Sequence, residues 1–133
     1  NISPIICFES IYGEYVTEYT RKGSNLFAII TNDGWWDVSE GHKQHLSYAK
    51  LRAIENRRNV VRSANTGISA VINYKGEIIK SIGYGEEGFI NTEVSLLNKT
   101  TFYVKYGDFI FRLSLFFLII ITLHFLATTL RIK

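Results

Sequence analysis

The chain has 133 residues, one domain's worth, with a formal charge of +3, a single cysteine and no methionine. One cysteine excludes an internal disulfide framework, and so mild a basic balance without a recognised binding module argues against nucleic acid as a partner. Because the sequence starts at Asn1 with no signal-peptide pattern behind it, it reads as a piece of a longer protein.

Residues 1–108 read as alternating strands and helices. "PIICF" is a short apolar run suited to a buried strand. "SIYGEYVTEYTRKG" predicts a helix with Ser10 as N-cap and Gly23 as the stop, carrying Ile11, Tyr15, Val16 and Tyr19 on one face. "LFAIIT" predicts a second buried strand, ending in the turn-rich "NDGWWDVSEG". "HKQHLSYAKLRAIENRR" predicts a second helix with Leu46, Ala49 and Ala53 on its inner face, and "NVVRSA" a third strand. "ISAVINYKGEIIKSIG" reads as a hairpin about a Tyr-Lys-Gly turn, and "GFINTEV" as a further strand. The basic stretch "KLRAIENRRNVVR", with Lys50, Arg52, Arg57, Arg58 and Arg62, is expected to be a solvated helix face with flanking strand ends.

The C-terminus breaks from this pattern. Leu113 to Leu130 is 18 residues without a formal charge, bounded by Arg112 and by Arg131 and Lys133. At about 1.5 Å per residue it spans a bilayer core, more so if Phe109 to Phe111 join it. The expected division is therefore residues 1–108 as an α/β domain, 109–130 as a transmembrane helix and 131–133 as a short basic tail. His124 within the helix is expected to pack against another helix.

Strand, helix, strand, helix, strand and hairpin imply a sheet with helices on one face. Sites in such sheets form at the carboxyl ends of strands, where Cys7 and "TNDGWW" both fall. A thiol there becomes a nucleophile when a helix N-terminus or a cation stabilises its thiolate. Glu9 opposes this, since a nearby carboxylate raises a thiol's pKa unless a cation offsets it. By composition alone, a lone cysteine at a strand end is more often a core residue. Trp35 and Trp36 in a polar loop suit a lid or a lipid-facing rim. His42 and His45 have an H-x-x-H spacing without a third ligand, so no metal is expected, and His45 is expected to make a local hydrogen bond. Glu55 and Asn65 read as structural polar residues bracing the site.

"CFES" after an apolar strand, then "TNDGWW", "QHLSYAKLRAIENRRNVVRSANTGISAVI" and "YGDF", resemble the apolipoprotein N-acyltransferases, membrane-embedded members of the nitrilase superfamily. The resemblance covers nearly the whole chain in order. It implies an α/β fold, namely the C-terminal part of a nitrilase-like α-β-β-α sandwich followed by one transmembrane helix. It implies a Glu–Lys–Cys triad whose nucleophile is Cys7, with Glu9 as the neighbouring essential acid. The triad's glutamate and lysine would lie before Asn1, so these 133 residues alone are expected to be inactive. Phe8 stands where a tyrosine is common, and "GWW" where an Ala-Trp-Phe-like run is expected. Phe8, Trp35 and Trp36 are the candidate substrate-binding residues.

The activity so implied moves an acyl group from a phospholipid, through a Cys7 thioester, to the amine of a diacylglyceryl-cysteine lipoprotein, with no cofactor. The implied location is the bacterial inner membrane, catalytic domain on the periplasmic side. Two rivals remain: a membrane-tethered nitrilase-type amidase using the same thiol, and a non-catalytic membrane-anchored binding module.

Overall fold

The computed structural model describes residues 1–131, so Lys133 of the basic tail lies outside the described residues. Strands β1 (Ile2–Ile6), β2 (Leu26–Thr31), β3 (Asn59–Ala64), β4 (Ser69–Ile72) and β5 (Ile78–Ile82) form one sheet in the order β1-β2-β3-β4-β5. The first three are parallel, joined by helices α1 (Gly13–Arg21) and α2 (Gly41–Asn56), as parallel neighbours require. The last two add antiparallel, β4 and β5 forming the expected hairpin.

Period-two alternation divides the sheet's residues between two faces. Ile5, Phe27, Ile29, Val60, Ala70 and Ile72 point to the helices and pack with Val16 of α1 and Leu46, Ala49 and Ala53 of α2. The two alanines, one turn apart and fully buried, let α2 lie close to the sheet. The other face is open: Ile2, Ile6 and Ile30 are more than half exposed there. One covered and one open apolar face is what the C-terminal part of an α-β-β-α sandwich presents.

Several boundaries differ from those expected. β1 ends at Ile6, because Cys7 adopts φ +48° and turns the chain into a 3-10 turn over Cys7–Ile11. Ser10 is not an N-cap. α1 starts at Gly13, and the Ser10 hydroxyl instead donates to the Cys7 carbonyl, 2.8 Å away. α1 buries Val16, Thr17 and Thr20, while Tyr15 is turned outward. Gly23 does follow the helix end, with φ +91°. α2 is closed without glycine: Arg57 itself takes the left-handed conformation.

"GFINTEV" forms no strand. It lies along the open face, tied by Lys80 Nζ donating to the Asn91 carbonyl and, just past it, by Asn59 Nδ2 donating to the Ser95 carbonyl. The basic stretch is not a solvated face either. Arg52, Arg58 and Arg62 are buried, their guanidinium groups taken up by backbone carbonyls and by Glu55 or Asp33.

The short helix α3 (Phe102–Tyr106), N-capped by Thr101, leads to α4 (Phe109–Arg131). "YGDF" builds the junction. Gly107 turns at φ +66°, where a Cβ would strike the Glu14 carboxylate. Asp108 then accepts the Phe111 N–H, as an N-cap does. Phe109–Leu130 is long and apolar enough to cross a membrane, and none of it is covered by the rest of the chain. A helix apolar on all sides requires lipid or other protein around it.

Candidate active site

The carboxyl ends of β1, β2 and β3 bring together residues far apart in sequence. Cys7, half-buried, sits where the chain leaves β1. Its φ of +48° is uncommon for a non-glycine residue and marks an enforced turn of the kind found at functional sites. Glu9 holds that turn. Its Oε2 accepts the Ile6 N–H at 2.7 Å, and its Oε1 accepts the Tyr15 hydroxyl at 3.0 Å. Tyr15 also pairs with the Tyr19 hydroxyl at 3.0 Å. The hydrogen bonds to Tyr19 and then to Glu9 push the Tyr15 phenol above its ordinary pKa, since an ionised oxygen could not donate to the carboxylate.

Behind the turn lies a buried polar network. Asp33, just past β2, accepts from the Thr31 hydroxyl at 2.9 Å and from His45 Nδ1 at 2.9 Å, and it pairs with the Arg62 guanidinium from β3. Burial alone would raise the Asp33 pKa, but the hydrogen bonds from His45 and Arg62 outweigh it and hold the carboxyl at about 2. His45 Nε2 in turn lies 2.9 Å from the Ser10 hydroxyl and 3.2 Å from the Cys7 carbonyl. Thr31 completes the ring: its Oγ1 is 3.3 Å from Cys7 Sγ. The network therefore reaches both the backbone and the sulfur of Cys7.

Arg52 supports the same turn, donating to the Ile11 carbonyl at 3.0 Å while paired with Glu55 at 2.8 Å. Burial, only partly offset by Arg52, pushes the Glu55 carboxyl up. Asn65 sits at the end of β3, its N–H donating to the Thr31 carbonyl.

Cys7 lines a cleft of about 860 Å³, within the range of small-molecule sites. Phe8, Glu9 and Tyr12 line it together with Tyr103 of α3 and Phe111 of α4. On the opposite side of the turn, the Phe8 ring lies 5.5 Å from Trp36 and 5.8 Å from His45. Trp36 also covers Gly41, where a Cβ would collide with its indole. Trp35 is not part of this cluster and is 80 % exposed.

His45 does not make the local bond expected of it; its partners are 12 to 38 residues away. His42 turns aside to stack on Tyr84. Asp33, Thr31, Arg62 and Ser10 were not candidates. The one available signal for them was their position at strand ends or beside the cysteine.

The family described as carbon-nitrogen hydrolase matches residues 1–100. The apolipoprotein N-acyltransferase of Geobacter metallireducens is 42% identical over 107 residues, 80% of this chain and 20% of its own length. That of Borreliella burgdorferi is 35% identical over 132 residues, 98% of this chain and 24% of its own length. The chain thus spans about a fifth to a quarter of these curated relatives. Among solved structures, a carbon-nitrogen hydrolase from Helicobacter pylori superposes with TM-score 0.59 at 14% identity, over 65% of this chain and 38% of that one. A mutant amidase from Nesterenkonia gives TM-score 0.53 at 19% identity, over 62% and 34%. These two likenesses show a nitrilase-like fold. The chain belongs to the carbon-nitrogen hydrolase family, and within it resembles the apolipoprotein N-acyltransferases.

Proposed function

We propose that the protein transfers an acyl group from a membrane phospholipid to the N-terminal amine of a diacylated lipoprotein, with Cys7 as nucleophile. The observation that carries this reading is the shared cleft. Cys7 and Phe111, in the first turn of the apolar helix, line the same opening. A nucleophile beside a helix that needs a lipid surround suits a substrate presented from lipid. The relatives support the reaction class, being apolipoprotein N-acyltransferases. The Nesterenkonia amidase supports the nucleophile, since its active-site cysteine carries a covalent acetamide adduct.

The chemistry runs in two halves. The Cys7 thiolate attacks the ester carbonyl; the acyl–oxygen bond breaks, and the departing lysophospholipid alkoxide takes a proton. The lipoprotein amine then attacks the thioester, the carbon–sulfur bond breaks, and the amine's proton is lost as the thiolate is regained. The resemblance assigns the general base and the oxyanion-holding lysine to sequence before Asn1. In the described residues Glu9 fixes the nucleophile's turn. Phe8 and Trp36 form an apolar rim to it, while exposed Trp35 meets the lipid headgroup region. Residues 1–108 act as the C-terminal part of the catalytic domain and 109–130 as its membrane helix, with the catalytic part on the periplasmic side of the inner membrane.

The test uses the full-length protein in detergent micelles with a phospholipid carrying a labelled acyl chain. Mass spectrometry of the Cys7 peptide should find a hydroxylamine-labile adduct, absent in Cys7→Ala, that discharges on adding a diacylated lipopeptide amine. An adduct from a small amide but none from lipid would replace this reading with the amidase. No adduct from either would end both.

A further inference from the structure

We propose that Thr31 is a positioning residue for the Cys7 sulfur, its hydroxyl turning from acceptor of the thiol's S–H to donor to the thiolate as the nucleophile forms. This rests on the reading above only in taking Cys7 as the nucleophile.

Hydrogen counting leads here. The Thr31 hydroxyl has one hydrogen and two neighbours that could take it, Asp33 Oδ1 at 2.9 Å and Cys7 Sγ at 3.3 Å. Asp33 is ionised at neutral pH and accepts only. While Cys7 is a thiol, the hydrogen goes to Asp33, and the oxygen's lone pair faces the S–H. Once the thiol has given up its proton, the sulfur also accepts only, and two acceptors compete for one hydrogen. Asp33 can release it, because His45 and Arg62 continue to donate to the same carboxylate. Among the described residues the sulfur has no such alternative: Thr31 is the one side chain that bonds it.

The other described groups near Cys7 do not supply that donor. The cleft is lined by the carboxylates Glu9, Glu14 and Asp108, which accept only, and by the phenols Tyr12, Tyr15 and Tyr103. Tyr15 is committed to Glu9. On the inner side, His45 and Arg62 are turned to Asp33. Thr31 is itself buried at the end of β2, so its hydroxyl is held in place rather than exchanged with water.

The test is the pH dependence of Cys7 alkylation by iodoacetamide in the full-length protein, which reads the thiolate fraction directly. Thr31→Val should raise the midpoint by about one pH unit, the effect of one lost hydrogen bond to a charged group, while Thr31→Ser should stay near the parent. If the valine variant does not fold, Thr31→Ala removes the same hydroxyl. A folded variant without the hydroxyl that keeps the parent midpoint overturns the proposal. So does a Thr31→Ser midpoint displaced as far as that of valine, since the methyl group would then be responsible. Alkylation needs no acyl donor. A parent protein that takes no acyl group from phospholipid would sink the acyltransferase reading and leave this test intact.

Discussion

The Arg112 guanidinium lies 2.7 Å from the Glu14 carboxylate, joining the first turn of the apolar helix to the first turn of α1. The same Glu14 oxygen accepts the Asp108 N–H at 2.8 Å. Both partners of the ion pair are substantially exposed, so its stabilising effect is at most about 1 kcal/mol. Its consequence is geometric. It ties the start of α4, and with it Phe111, to α1 beside the cleft that Cys7 lines.

Arg112→Ala should therefore leave thermal stability nearly unchanged and reduce lipid-derived Cys7 thioester by roughly tenfold, the scale of a small misplacement of reacting groups. Alkylation by a small water-soluble reagent should not change. Equal losses in both assays would mean that the pair supports the thiol's own environment and not its relation to the apolar helix.

Glu9 gives a second comparison. With one oxygen on the Ile6 N–H and the other on the Tyr15 hydroxyl, it acts by holding the turn. Glu9→Gln keeps one carbonyl oxygen for the Ile6 bond, whereas Glu9→Ala keeps neither. The expected order of thioester formation is parent, then Gln, then Ala, with alanine down by about tenfold or more. Tyr15→Phe should fall between parent and Ala. A glutamine variant as inactive as alanine would show that the charge itself is required.

Asp33 makes the fold sensitive to acid. Its folded pKa, about 2, lies below its ordinary value of 3.8. The stabilisation it contributes is therefore complete above roughly pH 4 and lost as the pH falls toward 2, about 2 kcal/mol in all. Asp33→Asn should flatten that part of an acid-unfolding curve. It should also cost about 3–5 kcal/mol at neutral pH, because Arg62 is left buried without its counter-charge. An unchanged acid limb would show that Asp33 keeps no such advantage in the folded state.

What could be read from the residues follows how local the cause is. The strands, both main helices and the hairpin come from apolar runs and turn residues within a few positions. Cys7 and Glu9 stand two apart in a recognisable motif, at a strand end where sites form. The network behind them was not legible. Thr31, Asp33, His45 and Arg62 come from β2, the loop beyond it, α2 and β3, and only the parallel register sets their ends side by side. No local pattern shows that Ser10 gives its hydrogen to a carbonyl instead of a helix end, or that Arg62 is buried. The left-handed turn at Cys7 is equally silent, since cysteine has no preference for it.

Gly67 tests how closely that network is packed. A Cβ there would fall against the Asp33 side chain, well inside van der Waals contact with its Oδ2. Gly85 differs: nothing lies within 4 Å of its Cβ position, but its φ is +72°. Gly67→Ala must displace Asp33 and should cost about 1–3 kcal/mol by overpacking. Gly85→Ala should cost about 1 kcal/mol from backbone strain alone. The two separate in the chemistry rather than in the melting curve. Displacing Asp33 disturbs His45 and Thr31 together, so Gly67→Ala should alter the rate of Cys7 alkylation at neutral pH. Gly85→Ala, whose Cβ would meet no side chain of the network, should not. If both variants react like the parent, the buried carboxylate holds the fold together without governing the thiol, and the link from Asp33 through Thr31 to the sulfur carries no chemical effect.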